Sequence, residues 1–189
     1  MLQGILRLSA APLQDSLMKV LISLILLGAL GPVKVVSEDI VPITFQTFAI
    51  ILPAVLFGWR IGTLAVVLYL IAGSAGAPVF ANYSSGVEHL FGITGGFLFG
   101  FVFASLLVGY LSEIPAAKKP LPCFGIWVLG HALILLLGTI WYMRFNPEWM
   151  EMVKTVLPGA AIKSAFGLLI TQLILRIVLK RDGYYQLRS

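Results

Sequence analysis

Lys163 stands inside a long apolar run, Val156 to Leu179, with Gly159 and Gly167 four residues to either side. On a helix these three share a face, so the ammonium would have open space beside it. An ionisable group within an apolar span marks a functional site by default. Its chemistry is that of a cation and donor, suited to an anionic or strongly hydrogen-bond-accepting ligand group. The competing reading is a lysine whose stem reaches the outer interface.

Three further groups of residues have the types for ligand contact. Gly73 to Phe97 is the longest polar, glycine-rich break in the chain, and Asn82, Tyr83, Ser84 and Ser85 place donors and acceptors close together within it. A loop of that length without low complexity is more often functional than a spacer. Thr44, Gln46 and Thr47 follow Pro42 at the start of an apolar run, where Thr44 could equally cap the helix. Trp127, His131, Gly138 and Tyr142 make one aromatic and polar stripe. A lone histidine on such a face is more often a hydrogen-bonded core residue than a ligand contact.

Other chemistry is disfavoured. All eight acidic residues (Asp15, Glu38, Asp39, Glu88, Glu113, Glu148, Glu151 and Asp182) fall in the lead, the loops or the tail. Proton-driven carriers and carboxylate-based membrane enzymes keep such groups inside the spans. Two distant histidines and the single Cys123 give no metal-ligand spacing. No phosphate-binding loop and no G-x-S-x-G is present, so ATP hydrolysis and serine chemistry are not expected of this chain. No catalytic residue is assigned.

The elements that must hold these residues are membrane helices. The 189 residues are 59% hydrophobic and 11% charged, with a mean hydropathy of +0.99. Soluble domains lie near 45–50% apolar and about 25% charged. The net charge of +5 therefore reads as a topology signal rather than a nucleic-acid footprint. One membrane domain is expected over residues 1–189. An interfacial lead (1–15) precedes spans at about 16–30, 45–57, 61–72, 95–111, 123–142 and 156–179. Leu17–Leu30 reads as a membrane helix rather than a signal core, since Lys19 interrupts it and no A-x-A site follows. Pro158 is expected in the first turn of the last span, after an outer loop at Arg144–Lys154.

Phe45–Phe57 and Ile61–Ala72 are each short of the ~20 residues that cross a bilayer squarely. Read as one helix they would bury Arg60, at a cost of about 2.5–3.5 kcal/mol. Read as two, they give six spans. Arg7, Lys19, Arg60, Lys118, Lys119, Arg176, Lys180, Arg181 and Arg188 then collect on one side, against Lys34, Arg144 and Lys154 on the other. The positive-inside rule prefers that arrangement, with both termini cytoplasmic and the Gly73–Phe97 loop outside.

Five segments carry a resemblance: V-P-I-T-F-Q-T (Val41–Thr47), G-W-R-I-G-T-L-A-V-V-L-Y-L-I-A-G (Gly58–Gly73), G-A-P-V-F-A (Gly76–Ala81), G-I-T-G-G-F-L-F-G-F (Gly92–Phe101) and L-P-G-A-A-I-K (Leu157–Lys163). In order and spacing they resemble the BioY family, the biotin-binding S components of energy-coupling factor transporters. The resemblance implies an all-helical, six-helix membrane protein of the cell membrane. Its biotin pocket would open outward, and it would work with a transmembrane coupling protein and two cytoplasmic ATPases. A site for biotin would draw hydrogen bonds from Asn82, Thr44 and Gln46, and charge or donors from Lys163. Walls would come from Phe80, Tyr83, Phe97 and Trp127, with His131 nearby, and the Gly76–Gly96 loop would close over the ligand. Alternatives are an S component for another vitamin, a lipid-modifying membrane enzyme and a structural subunit. Ala160 stands where the resembled motif has aspartate, Phe97 where it has tyrosine. In the first helix, Ser16 is followed by Val20 and Ser23 by Leu27, in place of the small pairs expected of a docking face.

Overall fold

The computed structural model describes residues 8, 11–36 and 43–181. Arg7, Glu38, Asp39, Asp182 and Arg188, all used in the reading of charge above, lie outside the described residues, as does Pro42. Among these residues, seven α-helices and one strand pair follow in order: α1 Pro12–Leu30, β1 Lys34–Val36, β2 Ile43–Thr44, α2 Gln46–Phe57, α3 Trp59–Ser74, α4 Glu88–Phe91, α5 Gly95–Ser112, α6 Pro120–Tyr142 and α7 Trp149–Arg181. The two strands are antiparallel, with Lys34 opposite Thr44. They lead the chain from the end of α1 to the start of α2, a feature the sequence reading left as a plain loop.

α2 is the post around which the bundle forms. Its sequence is apolar all round, and every residue from Phe48 to Phe57 is buried, as expected of a helix without a polar face. α1, α3, α5, α6 and α7 all pack against it. Pro12 and Pro120 open α1 and α6, where the missing amide proton costs no helical bond.

α2 and α3 are two helices, not one. Gly58 takes φ +82° between them, a conformation that costs a residue with a Cβ but not glycine. The chain then folds back so tightly that a Cβ on Gly62 would lie 2.6 Å from the Cα of Ala54. Arg60 is left exposed at the corner, its guanidinium 4.7 Å from the ring of Trp59. Among the described residues, four helices are long and apolar enough to cross a membrane: α1, α5, α6 and α7 over Trp149–Val178. α2 has 12 residues and α3 has 16.

Two expectations need correction. The last helix begins at Trp149 rather than near Val156, so much of the expected outer loop is helical and Pro158 sits inside the helix, not in its first turn. Proline there removes one backbone bond and costs about 3 kcal/mol. Met152 is fully buried, and Trp149, Val153 and Val156 pack on the core. Each buried apolar side chain contributes roughly 1.5–3 kcal/mol, so this face outweighs the proline. In α1, Val20, Ser23 and Leu27 are buried against the bundle. They are not on an outer contact surface. The face α1 shows outward carries Leu13, Leu17, Leu21 and Ile25.

Candidate functional site

α2, α5 and α7 bring one end of the bundle together under the segment that joins α3 to α5. This segment is more ordered than a bare loop. α3 continues to Ser74, Ala81–Tyr83 forms a 3-10 turn, and α4 adds a short helix. Three bonds fasten it down. The Tyr69 hydroxyl donates to Val79 O at 2.7 Å, Asn82 N donates to Pro32 O at 3.1 Å, and Trp141 Nε1 donates to Gly92 O at 2.9 Å. Asn82 and Tyr83 take φ of 60° and 57°, a region that asparagine tolerates and tyrosine enters only under constraint.

Beneath it lies a cavity of about 300 Å³, at the lower edge of the range of about 300–1,000 Å³ for small-ligand pockets. Thr44 comes from the end of β2, and Gln46 and Thr47 from the start of α2. α5 and the turn before it contribute Thr94, Phe97, Leu98 and Phe101, and α7 contributes Val156 and Lys163. Phe80, Ala81, Ser84, His89 and Ile93 close it from the connecting segment.

Among the described residues, Lys163 is the only Lys, Arg, Asp or Glu side chain in this lining. It is 8% exposed and turned inward, which excludes the snorkelling reading. Its Nζ donates to Thr44 O at 3.2 Å and to Thr47 Oγ1 at 2.7 Å. An ammonium has three donors, so one remains for a ligand. Four turns of α7 precede it rather than the two expected, because the helix starts earlier. The glycine at 167 does not open a space beside it: a Cβ there would run into the ring of Trp127.

Phe80 is seated by Gly73, where any Cβ would overlap its ring. It also meets Tyr69 and His89 edge-on, with centroids 5.7 and 5.9 Å apart. Phe97 is seated in the same way by Gly138 on α6. Thr44 lines the cavity and accepts from Gln46 N at 3.3 Å, but it does not cap α2, whose N-cap position is Phe45 with no side-chain capping bond.

Thr44, Gln46, Phe80, Phe97 and Lys163 are therefore brought together, whereas Asn82, Tyr83, Trp127 and His131 stand outside the lining. Asn82 is exposed and Tyr83 is 68% exposed. Trp127 is wholly buried one layer behind, stacked on Phe48 at 5.3 Å and donating to Thr171 Oγ1 at 3.1 Å. His131 Nδ1 lies 3.0 Å from Trp127 O and 3.0 Å from Ser164 Oγ. A carbonyl only accepts, so Nδ1 carries the proton. Nε2 is buried without a hydrogen-bond partner among the described residues.

The lining residues absent from the sequence reading include His89, Thr94, Leu98 and Phe101. Thr94, Phe97, Leu98 and Phe101 recur at i, i+3, i+4 and i+7, the signature of one helix face. That signal was available, but in an apolar helix it does not distinguish a cavity wall from packing. His89 carries no local signal. Among the described residues, no three of His, Cys, Asp and Glu are placed to hold a metal.

A family model described as the BioY family matches residues 7–180. Biotin transporter BioY2 of Lactococcus lactis subsp. cremoris is 39% identical over 140 residues, covering 70% of this chain and 75% of that protein. The probable biotin transporter BioY of Pyrococcus horikoshii is 30% identical over 156 residues, covering 77% and 88%. A crystal structure described as the S-component for biotin from an ECF-type ABC transporter matches with a TM-score of 0.63, covering 87% of this chain and 90% of that one. Its 23% identity makes that a likeness of fold. Four of the five sequence segments that carried the resemblance fall wholly among the described residues, and they build α3, the segment over the cavity, the start of α5 and part of α7; the fifth ends in the first residues of α2. With the family match spanning nearly the whole length, the chain belongs to the BioY family.

Proposed function

We propose that this chain is the biotin-binding subunit of a vitamin uptake transporter, and that biotin binds in the cavity beneath the segment joining α3 to α5. The observation that carries this reading is Lys163, buried and facing a cavity of about 300 Å³ with a donor to spare. Biotin is a small bicycle with a hydrogen-bonding ureido edge and a carboxylate tail. Aromatic walls at Phe80 and Phe97, polar groups at Gln46 and Thr44, and one cation match those parts. The names of the relatives, biotin transporters in two organisms, support the same ligand. The chain is a transport component, not an enzyme, and its ligand is a substrate rather than a cofactor.

Six helices cross the cell membrane in this reading, α2 and α3 being the short pair. Both termini face the cytoplasm and the cavity faces outward, with Asn82 and Tyr83 on the segment that closes over it. A transmembrane coupling protein and two cytoplasmic ATPases supply the energy. Ala160, buried one turn before Lys163, leaves the lining without a carboxylate among the described residues and favours, as a second reading, a different vitamin. Calorimetric titration of the purified protein with biotin and a panel of other vitamins decides between them. Saturable binding of biotin is expected. No heat with biotin beside a clear response to another vitamin would overturn the ligand assignment.

A further inference from the structure

Gln46 lines the cavity, but an amide side chain can present either a donor or an acceptor there. Its orientation is fixed from outside the cavity. Val79 O lies 2.7 Å from the Tyr69 hydroxyl, and a carbonyl can only accept, so the hydroxyl proton is committed to it. The Tyr69 oxygen is then an acceptor towards Gln46, 2.7 Å away, and must face the amide nitrogen Nε2. Oε1 is left without a hydrogen-bond partner among the described residues, and it is not one of the sealed, unpaired atoms there, which are Ser74 Oγ and His131 Nε2. Tyr69 itself is 2% exposed and outside the cavity lining. The arrangement is held tightly. A Cβ on Gly31 would lie 2.7 Å from the Tyr69 hydroxyl and 2.8 Å from Val79 O, so only glycine at the end of α1 leaves room for the pair.

We infer that Tyr69 is a positioning residue that fixes the Gln46 amide, one Nε2 proton held by Tyr69 and Oε1 left as the unpaired acceptor, so that the cavity selects a ligand carrying an N–H for Oε1. This rests on the proposal that biotin is the ligand, whose ureido edge supplies such an N–H. The selectivity follows from an asymmetry of cost. A ligand without the N–H leaves Oε1 buried and unpaired, and a site built for a hydrogen bond rejects an analogue that lacks it. The same chain of bonds joins the cavity to the segment above it, since Val79 precedes Phe80. Gln46, Tyr69 and the segment are therefore set in place together.

The test compares biotin with its cyclic carbamate analogues, in which one or the other ureido N–H is replaced by a ring oxygen. The wild-type protein should prefer biotin to one of the two analogues by at least tenfold. Tyr69→Phe should reduce that preference to below threefold while changing affinity for that analogue less than threefold. Equal weakening of all ligands would assign Tyr69 a purely structural role and overturn the inference, as would an unchanged preference. If Tyr69→Phe does not fold, Gln46→Met decides: loss of the preference supports the inference and retention overturns it. A wild-type protein that binds biotin but accepts both analogues equally refutes the inference alone. One that does not bind biotin at all refutes the ligand reading beneath it.

Discussion

Replacing Lys163 by methionine removes the charge of the proposed biotin site while keeping most of the side-chain volume. The size of the effect follows from what the ammonium already does. Two of its donors are committed to Thr44 O and Thr47 Oγ1, so one is available to the ligand. A hydrogen bond to a charged group contributes about 1.5–3 kcal/mol. At about 1.4 kcal/mol per tenfold change, Lys163→Met should weaken biotin roughly 10- to 150-fold. Stability of the unliganded protein should move less, because two terms oppose each other. Methionine removes a buried charge that has no carboxylate paired with it among the described residues, and it also leaves the buried Thr44 carbonyl without that donor. Calorimetry with biotin and with its neutral tail amide reads the result. If the ammonium meets the tail carboxylate, the variant loses affinity for biotin and little for the amide. If it meets the ureido oxygen, both ligands lose alike. Affinities for both ligands within threefold of wild type would refute the role given to Lys163.

Gly138→Ala places a Cβ against the ring of Phe97; overpacking of this kind costs about 1–3 kcal/mol, and thermal denaturation with calorimetry should show lower stability together with at least fivefold weaker biotin binding as the ring is pushed into the cavity. Loss of stability at full affinity would remove Phe97 from the wall. Asn82→Gly keeps the left-handed backbone and deletes an exposed side chain; biotin affinity within threefold of wild type is expected, and a tenfold loss would mean that the amide reaches the ligand when the segment closes. Asp15→Ala breaks a pair at 2.6 Å whose lysine side chain is 4% exposed; breaking a buried pair costs about 3–5 kcal/mol, so denaturation should show a clear loss with biotin affinity intact. The paired replacement Lys19→Met with Asp15→Leu should recover most of it, and no recovery would assign the loss to Asp15's other contacts.

Most of the helical plan was legible because its signals are local. The glycine at 58 and long apolar runs mark where helices start and stop; Pro12 and Pro120 carry the same kind of signal, but the expected spans start at 16 and 123, four and three residues late. The starts of α5 and α6 and the corner between α2 and α3 came out within a few residues. The start of α7 did not. Pro158 reads locally as a first-turn proline, and the reason it is not one is the burial of Met152 and Trp149 against other helices. The strand pair was equally hidden, since three residues facing two leave no periodicity to read. Lys163 was legible as an anomaly, a cation in an apolar run. Its neighbours were not, because Thr44 in β2 and Thr47 in α2 lie 119 and 116 positions away in sequence.

The aromatic residues show where sequence stops being informative. Phe80, Phe97 and Trp127 look alike as candidate walls, and each has its ring pressed on a glycine: 73, 138 and 167 respectively. The device is the same in all three, a missing Cβ that lets a ring lie against a helix. What differs is the next layer. Phe97 lies between α6 and the cavity, and Phe80 closes it from above, while Trp127 is covered by Phe48 on one side and held by Thr171. A ring seated on a glycine is thus a packing solution first, and it becomes a wall of the site only where no second ring stacks over its face, as Phe48 does on Trp127; Phe80 meets Tyr69 and His89 only edge-on. Lys163 obeys the same logic. It is buried like any interior residue, and what makes it a candidate ligand contact is the one donor that Thr44 and Thr47 leave over.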